Sequence, residues 1–352
     1  MSGRDEGVAL FQRIANGGPV FVIAEAGVNH NGDTALAMEL IDRAATAGAD
    51  AVKFQTFRTE ELVTAQATKA DYQLETTSTT ESQAAMLKRL ELPSEVWGKL
   101  AARARERGLA FLSTPFDVPS VDFLDRLDLP MFKVGSGDVT NSLLLRAVGG
   151  WRRPVLLSTG MAYLSEVAQA LELLGRAGAK HIALLHCVSQ YPAPAAEANI
   201  KAIRRMADAF GIPIGYSDHA DDELVTWAAV AVGARIIEKH LTLDRSLPGP
   251  DHRASLEPDA LAAYVRRIRA LEQILGTGEK VPAPCEVANR RLVRRSLGLR
   301  SATKAGMELT ESMLVALRPG TGISPIRWMD VVGRKMRRDL RAGELLDWSD
   351  FA

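Results

Sequence analysis

At 352 residues the chain is long for one domain, but it fits one large α/β barrel of roughly 250 residues with a small appendix. Its 43 Lys and Arg balance 43 Asp and Glu, which removes any global electrostatic case for nucleic acid or an anionic membrane and leaves anion binding to a local cluster. The two cysteines, Cys187 and Cys285, have no metal-type or redox spacing and are expected as plain thiols; no apolar run suits a membrane span or a signal peptide, so a cytoplasmic location is expected.

Eight apolar runs of strand length follow in chain order: "PVFVIAEAG" (19–27), "DAVKFQTF" (50–57), "LAFLSTPF" (109–116), "MFKVGSGD" (131–138), "PVLLSTG" (154–160), "HIALLHC" (181–187), "IPIGYSD" (212–218) and "ARIIEKH" (234–240). Amphipathic helical segments separate them, among them "TALAMELIDRAATAGA", "PSEVWGKLAARARERG" and "LSEVAQALELLGRAGA", several closing on glycine. A last helix, "EPDALAAYVRRIRALEQILG", follows the eighth strand. Strands apolar on both faces, alternating eight times with helices, predict a (β/α)8 TIM barrel over residues 1–279.

Residues 58–92 are too long for an ordinary strand-to-helix loop and read as an insertion over the barrel's active face. After Gly276 the glycine- and proline-bearing "GTGEKVPAPCEVANRR" changes the texture, with a linker expected at 280–293. A compact basic domain over 294–352 is then expected, with short strands in "RRSLGLR" and "MLVALRP".

In such a barrel the chemistry sits at the carboxyl ends of the strands. In order, those ends carry Glu25 with Asn29 and His30, Lys53 and Gln55, Ser113 and Thr114, Lys133 with Ser136 and Asp138, Ser158 and Thr159, His186, Ser217 and His219, and Glu238 and His240. Buried polar groups cost free energy unless paired, so a scaffold has no reason to collect them at one rim. Two lysines with several hydroxyls make a local anion site. His219 and His240 end consecutive strands, so their imidazoles can converge on one divalent metal and leave positions open for water and substrate. The stiff loop "LPGPDHRASLEP" (247–258) places Asp251 and His252 nearby, suited to positioning a polar substrate.

The stretches "FVIAEAGVNHNGD", "ADAVKFQTF", "FLSTPFD", "FKVGSGDVTN", "LLSTGMA", "LLHCVSQYPAP", "IGYSDHA", "IIEKHLTLDRSLPGPDHRASLEP" and "LRPGTGIS" resemble, in order and over nearly the whole chain, the sialic acid synthase family. This family includes the N-acetylneuraminate, legionaminate and pseudaminate synthases. The resemblance implies a barrel joined to a β-rich, antifreeze-like SAF domain in a domain-swapped homodimer. It further implies metal-dependent condensation of phosphoenolpyruvate with an N-acetylated mannosamine-type sugar, giving a nine-carbon 2-keto sugar acid and phosphate, with Mn2+ or Mg2+ as the metal.

By that resemblance His219 and His240 are metal ligands, and Glu25 lies near the reacting carbons. Lys53, Thr114, Lys133, Ser136, Ser158 and Ser217 match the phosphoenolpyruvate site; Gln55, Tyr191 and Asp251 match sugar contacts, and Arg318 matches an arginine that reaches the N-acetyl group across the dimer. Asp138, a further sugar contact by the same resemblance, stands where many members have Glu, one methylene longer, and Ser189 and Gln190 also depart from the usual choices. "EAGVNHNGD" and "RPGTGISP" are nearer the legionaminate branch. The rival readings are a pseudaminate-type synthase, a metal-independent Schiff-base aldolase using Lys53, Lys133 or Lys239, and a carbohydrate- or ice-binding protein; the charges in "RRSLGLR" and "VVGRKMRRDLR" argue against ice.

Overall fold

Eight parallel strands close into a barrel in sequence order: β1 (Phe21–Gly27), β2 (Ala51–Thr56), β3 (Ala110–Pro115), β4 (Phe132–Val134), β5 (Val155–Ser158), β6 (Ile182–His186), β7 (Ile214–Asp218) and β8 (Ile236–His240). β8 returns to β1 with Phe21 opposite Ile236 and Glu25 opposite His240, so the ring has no free edge. The computed structural model describes residues 2–64, 66–77 and 80–352. Among them, no helix is long and apolar enough to cross a membrane.

Successive side chains of a strand point to opposite faces, and here the two faces have different fates. Outward residues such as Val22, Val52, Leu157, Leu184 and Ile237 join the large core beneath the surrounding helices. Inward residues form a separate cluster in the lower half of the barrel: Phe21, Ile23, Ala51, Leu112, Met131, Leu156, Leu185 and Ile236. Gly215 makes room in this interior, because a Cβ there would lie 2.6 Å from both the Cβ and the carbonyl oxygen of Ile236.

The floor is closed by a helix that the strand-and-helix reading of the sequence did not include, α1 (Gly3–Ala15). Its signals are local: Ser2 caps the N-terminus, accepting from the Asp5 N–H, and Asp5 and Glu6 occupy the first turn, where acidic groups favour the helix dipole. Phe11 and Ile14 insert into the inward cluster. Contact at the floor is close enough that a Cβ on Gly7 would fall 1.8 Å from the Pro130 carbonyl oxygen. The Gly3 N–H donates to Asp128 Oδ2 at 2.7 Å, and Asp128 in turn pairs with Arg153 at 3.0 Å.

One local expectation is corrected. The fourth strand stops at Val134, because Ser136–Asp138 winds into a 3-10 turn closed by the Asp138 N–H on the Gly135 carbonyl; glycine and small polar residues favour the turn over further strand. The 58–92 stretch carries three short helices, Thr59–Leu62, Asp71–Thr76 and Gln83–Leu90. The expectation for this stretch falls in part on residues 65, 78 and 79, which lie outside the described residues.

The chain divides into two compact units, one ending at Gly276 and the other starting at Thr277. Within the second, Val287–Val293 is helical where a linker was expected; Pro282 and Pro284 stiffen only its approach, and "VANRRLV" favours helix. β9 (Ser296–Leu299) pairs antiparallel with β10 (Leu314–Leu317), over a small core that includes Leu297, Leu309, Ile323, Val331 and Leu346.

Candidate active site

The inward alternation that builds the floor continues upward and changes chemistry. Two residues past Ile23 stands Glu25, past Ala51 Lys53, past Leu112 Thr114, past Met131 Lys133, past Leu156 Ser158, and past Ile236 Glu238. All of these line one cavity of about 420 Å³, together with Gln55, Ser136, Cys187, Tyr191, Ser217, His219, His240 and Asp251. The carboxyl-end rim is therefore a single chamber.

At its base four charges interlock. Lys53 Nζ lies 2.7 Å from Glu25 Oε2 and donates to Thr114 Oγ1 at 3.0 Å. Lys133 Nζ donates to Ser158 Oγ at 2.6 Å. Glu238 sits between the lysines, 3.8 Å from Lys53 and 3.7 Å from Lys133, and accepts from Ser217 Oγ at 2.8 Å. Burial alone would raise both carboxyls. In Glu238 the two lysines outweigh it and bring the pKa to about 2, whereas Glu25, facing Glu238 and chiefly one lysine, is pushed up to about 7. Burial lowers the Lys133 pKa, and in Lys53 the adjoining carboxylates prevail over burial and raise it. Asp251, buried near the loop end, is raised to about 6.

Above the charges lie the histidines, ring centroids 5.9 Å apart, with the Tyr191 ring against both at 4.2 Å and 5.7 Å. His219 Nδ1 lies 2.7 Å from the Val188 carbonyl. A carbonyl only accepts, so Nδ1 carries the proton and Nε2 presents its lone pair. Burial lowers the His219 pKa to about 4 and takes His240 well below its usual value, so both rings are neutral near pH 7. His240 Nδ1 is buried with no hydrogen-bond partner. Neutral imidazoles with an available lone pair and an orphaned nitrogen suit a divalent cation. Among the described residues no three His, Cys, Asp or Glu side chains gather at one metal point.

Several rim residues serve other ends. Asn29 donates to the Leu241 carbonyl and to Ser255 Oγ, both at 2.9 Å, and Ser255 donates to the Asp251 carbonyl at 2.6 Å, so Asn29 fixes the loop that carries Asp251. His30, Ser113, Thr159, His186 and His252 do not line the cavity. Asp138, expected as a sugar contact, accepts from Asn141 Nδ2 at 2.9 Å and does not line the cavity. Lys239 points outward and pairs with Asp218 at 3.0 Å. Arg318 lies just past β10, exposed, in the second unit.

Sequence reasoning missed the apolar wall. Leu62, Val63, Met86, Leu87 and Leu90 face the cavity beside Phe57 and Phe116. The spacing of Met86, Leu87 and Leu90 in "QAAMLKRL" is that of one helix face, a signal obscured by the polar run before it. Glu238, central to the charge array, was not among the assigned site residues.

A model of the NeuB family matches residues 40–280, and a SAF domain model matches 294–352. The N,N'-diacetyllegionaminic acid synthase of Legionella pneumophila is 45% identical over 332 residues, covering 93% of each chain. That of Campylobacter jejuni is 44% identical over 327 residues, 92% of this chain and 98% of its own. Among solved structures, the N-acetylneuraminic acid (sialic acid) synthetase of Leptospira borgpetersenii, in complex with citrate, is 37% identical with a TM-score of 0.69, covering 77% of this chain and 90% of that one.

Proposed function

The chain belongs to the NeuB family, and from that premise we propose that it condenses phosphoenolpyruvate with an N-acetylated mannosamine-type sugar, yielding a nine-carbon 2-keto sugar acid and inorganic phosphate. The observation that carries the reading is the single chamber in which Lys53, Lys133 and four hydroxyls stand below a pair of neutral histidines. Lys53, Lys133, Thr114, Ser136, Ser158 and Ser217 supply charge and donors for the phosphate and carboxylate of phosphoenolpyruvate. An arriving anion competes with Glu25 and Glu238 for the lysines.

His219 and His240 would hold a divalent metal, Mn2+ or Mg2+, which when bound supplies Lewis-acid polarisation of the sugar aldehyde. The methylene carbon of phosphoenolpyruvate then forms the new C–C bond to the aldehyde carbon, water adds at the resulting cationic C2, and the C–O bond to phosphate breaks. Glu25, with a pKa of about 7, can take or return a proton beside C2 near neutral pH. Gln55 donates to Glu25 at 3.2 Å and, with Tyr191 and Asp251, offers polar contacts to the sugar. Arg318 is proposed to complete the N-acetyl pocket from a second copy in a domain-swapped homodimer.

The acceptor we favour is 2,4-diacetamido-2,4,6-trideoxymannose, of the legionaminate branch. Its support is the 44% and 45% identity to two such synthases and the wall of Leu62, Val63, Met86, Leu87 and Leu90, which suits a deoxygenated, doubly acetylated sugar. Phosphate release from phosphoenolpyruvate, with Mn2+ or with chelator and with this sugar and N-acetylmannosamine in parallel, tests both levels. Metal-dependent release faster with the diacetamido sugar is expected; release with neither removes the reaction, and equal rates remove the branch.

A further inference from the structure

Behind the chamber wall lies a buried polar group that the reaction does not touch. The alternation that turns Ser217, Glu238, His219 and His240 inward turns Asp218 and Lys239 outward, opposite each other in the β7–β8 register. Outward positions elsewhere on the barrel, such as Val22, Val52 and Leu157, are apolar and pack under helices. Here the space beneath the helices Leu224–Ala231 and Pro258–Leu275 holds an ion pair instead, with side-chain exposures of 0% for Asp218 and 4% for Lys239.

Every polar atom of this pair has a use. Lys239 Nζ lies 3.0 Å from Asp218 Oδ2. Thr226 Oγ1 and Tyr264 OH lie 3.0 and 3.1 Å from the same oxygen and 2.5 Å from each other, so with one proton apiece one hydroxyl bonds the carboxylate and the other bonds its neighbour. The other oxygen, Oδ1, accepts the Ala220 N–H at 3.0 Å, while Lys239 donates to the Ala220 carbonyl at 2.5 Å. Both backbone groups of the residue after His219 are thereby fixed. From the front, the Ala193 N–H donates to the His219 carbonyl at 2.9 Å and the Val188 carbonyl takes the Nδ1 proton.

A buried ion pair contributes little net stability over apolar residues of equal volume, and its best-attested use is to fix one arrangement. We propose that Asp218, with Lys239, Thr226 and Tyr264, is a positioning device that sets the spacing of His219 and His240 for a shared divalent cation. It acts from outside the barrel, through the chain on both sides of His219 and through the residue that precedes His240. The inference rests on the metal reading above, and its test separates the two.

The experiment measures Mn2+ binding to the full-length, metal-stripped protein by electron paramagnetic resonance, beside thermal melting and binding of inorganic phosphate in chelator. Asp218→Asn and Lys239→Met are expected to weaken Mn2+ about 10-fold or more, and Tyr264→Phe by a smaller factor, while phosphate affinity stays at the wild-type value. Mn2+ affinity within twofold of wild type in the folded variants overturns the positioning role, as does a parallel loss of Mn2+ and phosphate binding, which marks general damage. Should Asp218→Asn fail to fold, Tyr264→Phe decides, since it removes one hydroxyl and no charge. His219→Ala and His240→Ala are the controls: if they bind Mn2+ as wild type does, or if wild type binds none, the metal reading itself falls and the device with it.

Discussion

The lower and upper halves of the barrel interior use the same strands and the same two-residue period, yet they are held together differently. Below, Phe21, Ile23, Leu112, Leu156 and the side chains of α1 contribute separately, each by the area it removes from water. Above, Glu25, Lys53, Lys133 and Glu238 depend on one another, since each is buried and tolerable only while its partners remain. The floor is additive and the chamber cooperative.

The strongest way to break the upper half is Lys53→Met. It leaves Glu25 and Glu238 facing each other without their shared cation, and we expect turnover to fall by about a thousandfold and stability by about 3–5 kcal/mol. Urea denaturation should show part of the stability return in Lys53→Met/Glu25→Gln, and strict additivity of the two changes would refute the cooperative picture. In the lower half, Leu156→Ala removes a fully buried side chain and should cost about 2–5 kcal/mol, with the kcat of the folded protein unchanged at saturating substrate. A kcat loss matching the stability loss would mean that the halves are not distinct.

Smaller effects sharpen the picture of the floor. Gly7→Ala forces a methyl against the Pro130 carbonyl and should cost about 1–3 kcal/mol by lifting α1. Asp128→Asn should cost about 1 kcal/mol or less, because Asp128 is half exposed. The Gly3 N–H and Arg153 hold the Asp128 carboxyl below its usual range, burial opposing them only in part. Its contribution is therefore complete above about pH 4 and is lost as pH falls through the lowered value, so melting curves of wild type and Asp128→Asn should converge at acid pH.

The floor and the chamber were not equally legible in the sequence. The eight strands were readable because an apolar run flanked by helical patterns has few other solutions, and their polar ends stood out because burial makes such residues costly. What the pattern could not give was direction within a polar triplet. "SDH" and "EKH" each offer three candidates, and only the strand register sends Ser217, His219, Glu238 and His240 in and Asp218 and Lys239 out. Ser136 shows the same limit, since it shares the outward parity of Val134 and lines the cavity only because a 3-10 turn after Val134 resets the alternation. α1 was missed although Ser2, Asp5 and Glu6 form a helix start, because its apolar face, Phe11 and Ile14, is short and lies within a mostly polar segment.

The chamber draws Glu25, Lys53, Thr114, Lys133, Ser158, Ser217 and Glu238 from seven of the eight strands, and Cys187 follows directly on β6. A small molecule gripped by this set touches seven of the eight strands at once and acts as a clasp. To come apart anywhere, the barrel must first let its occupant go, so the free energy of binding is shared by the whole hoop of backbone hydrogen bonds and not by one loop.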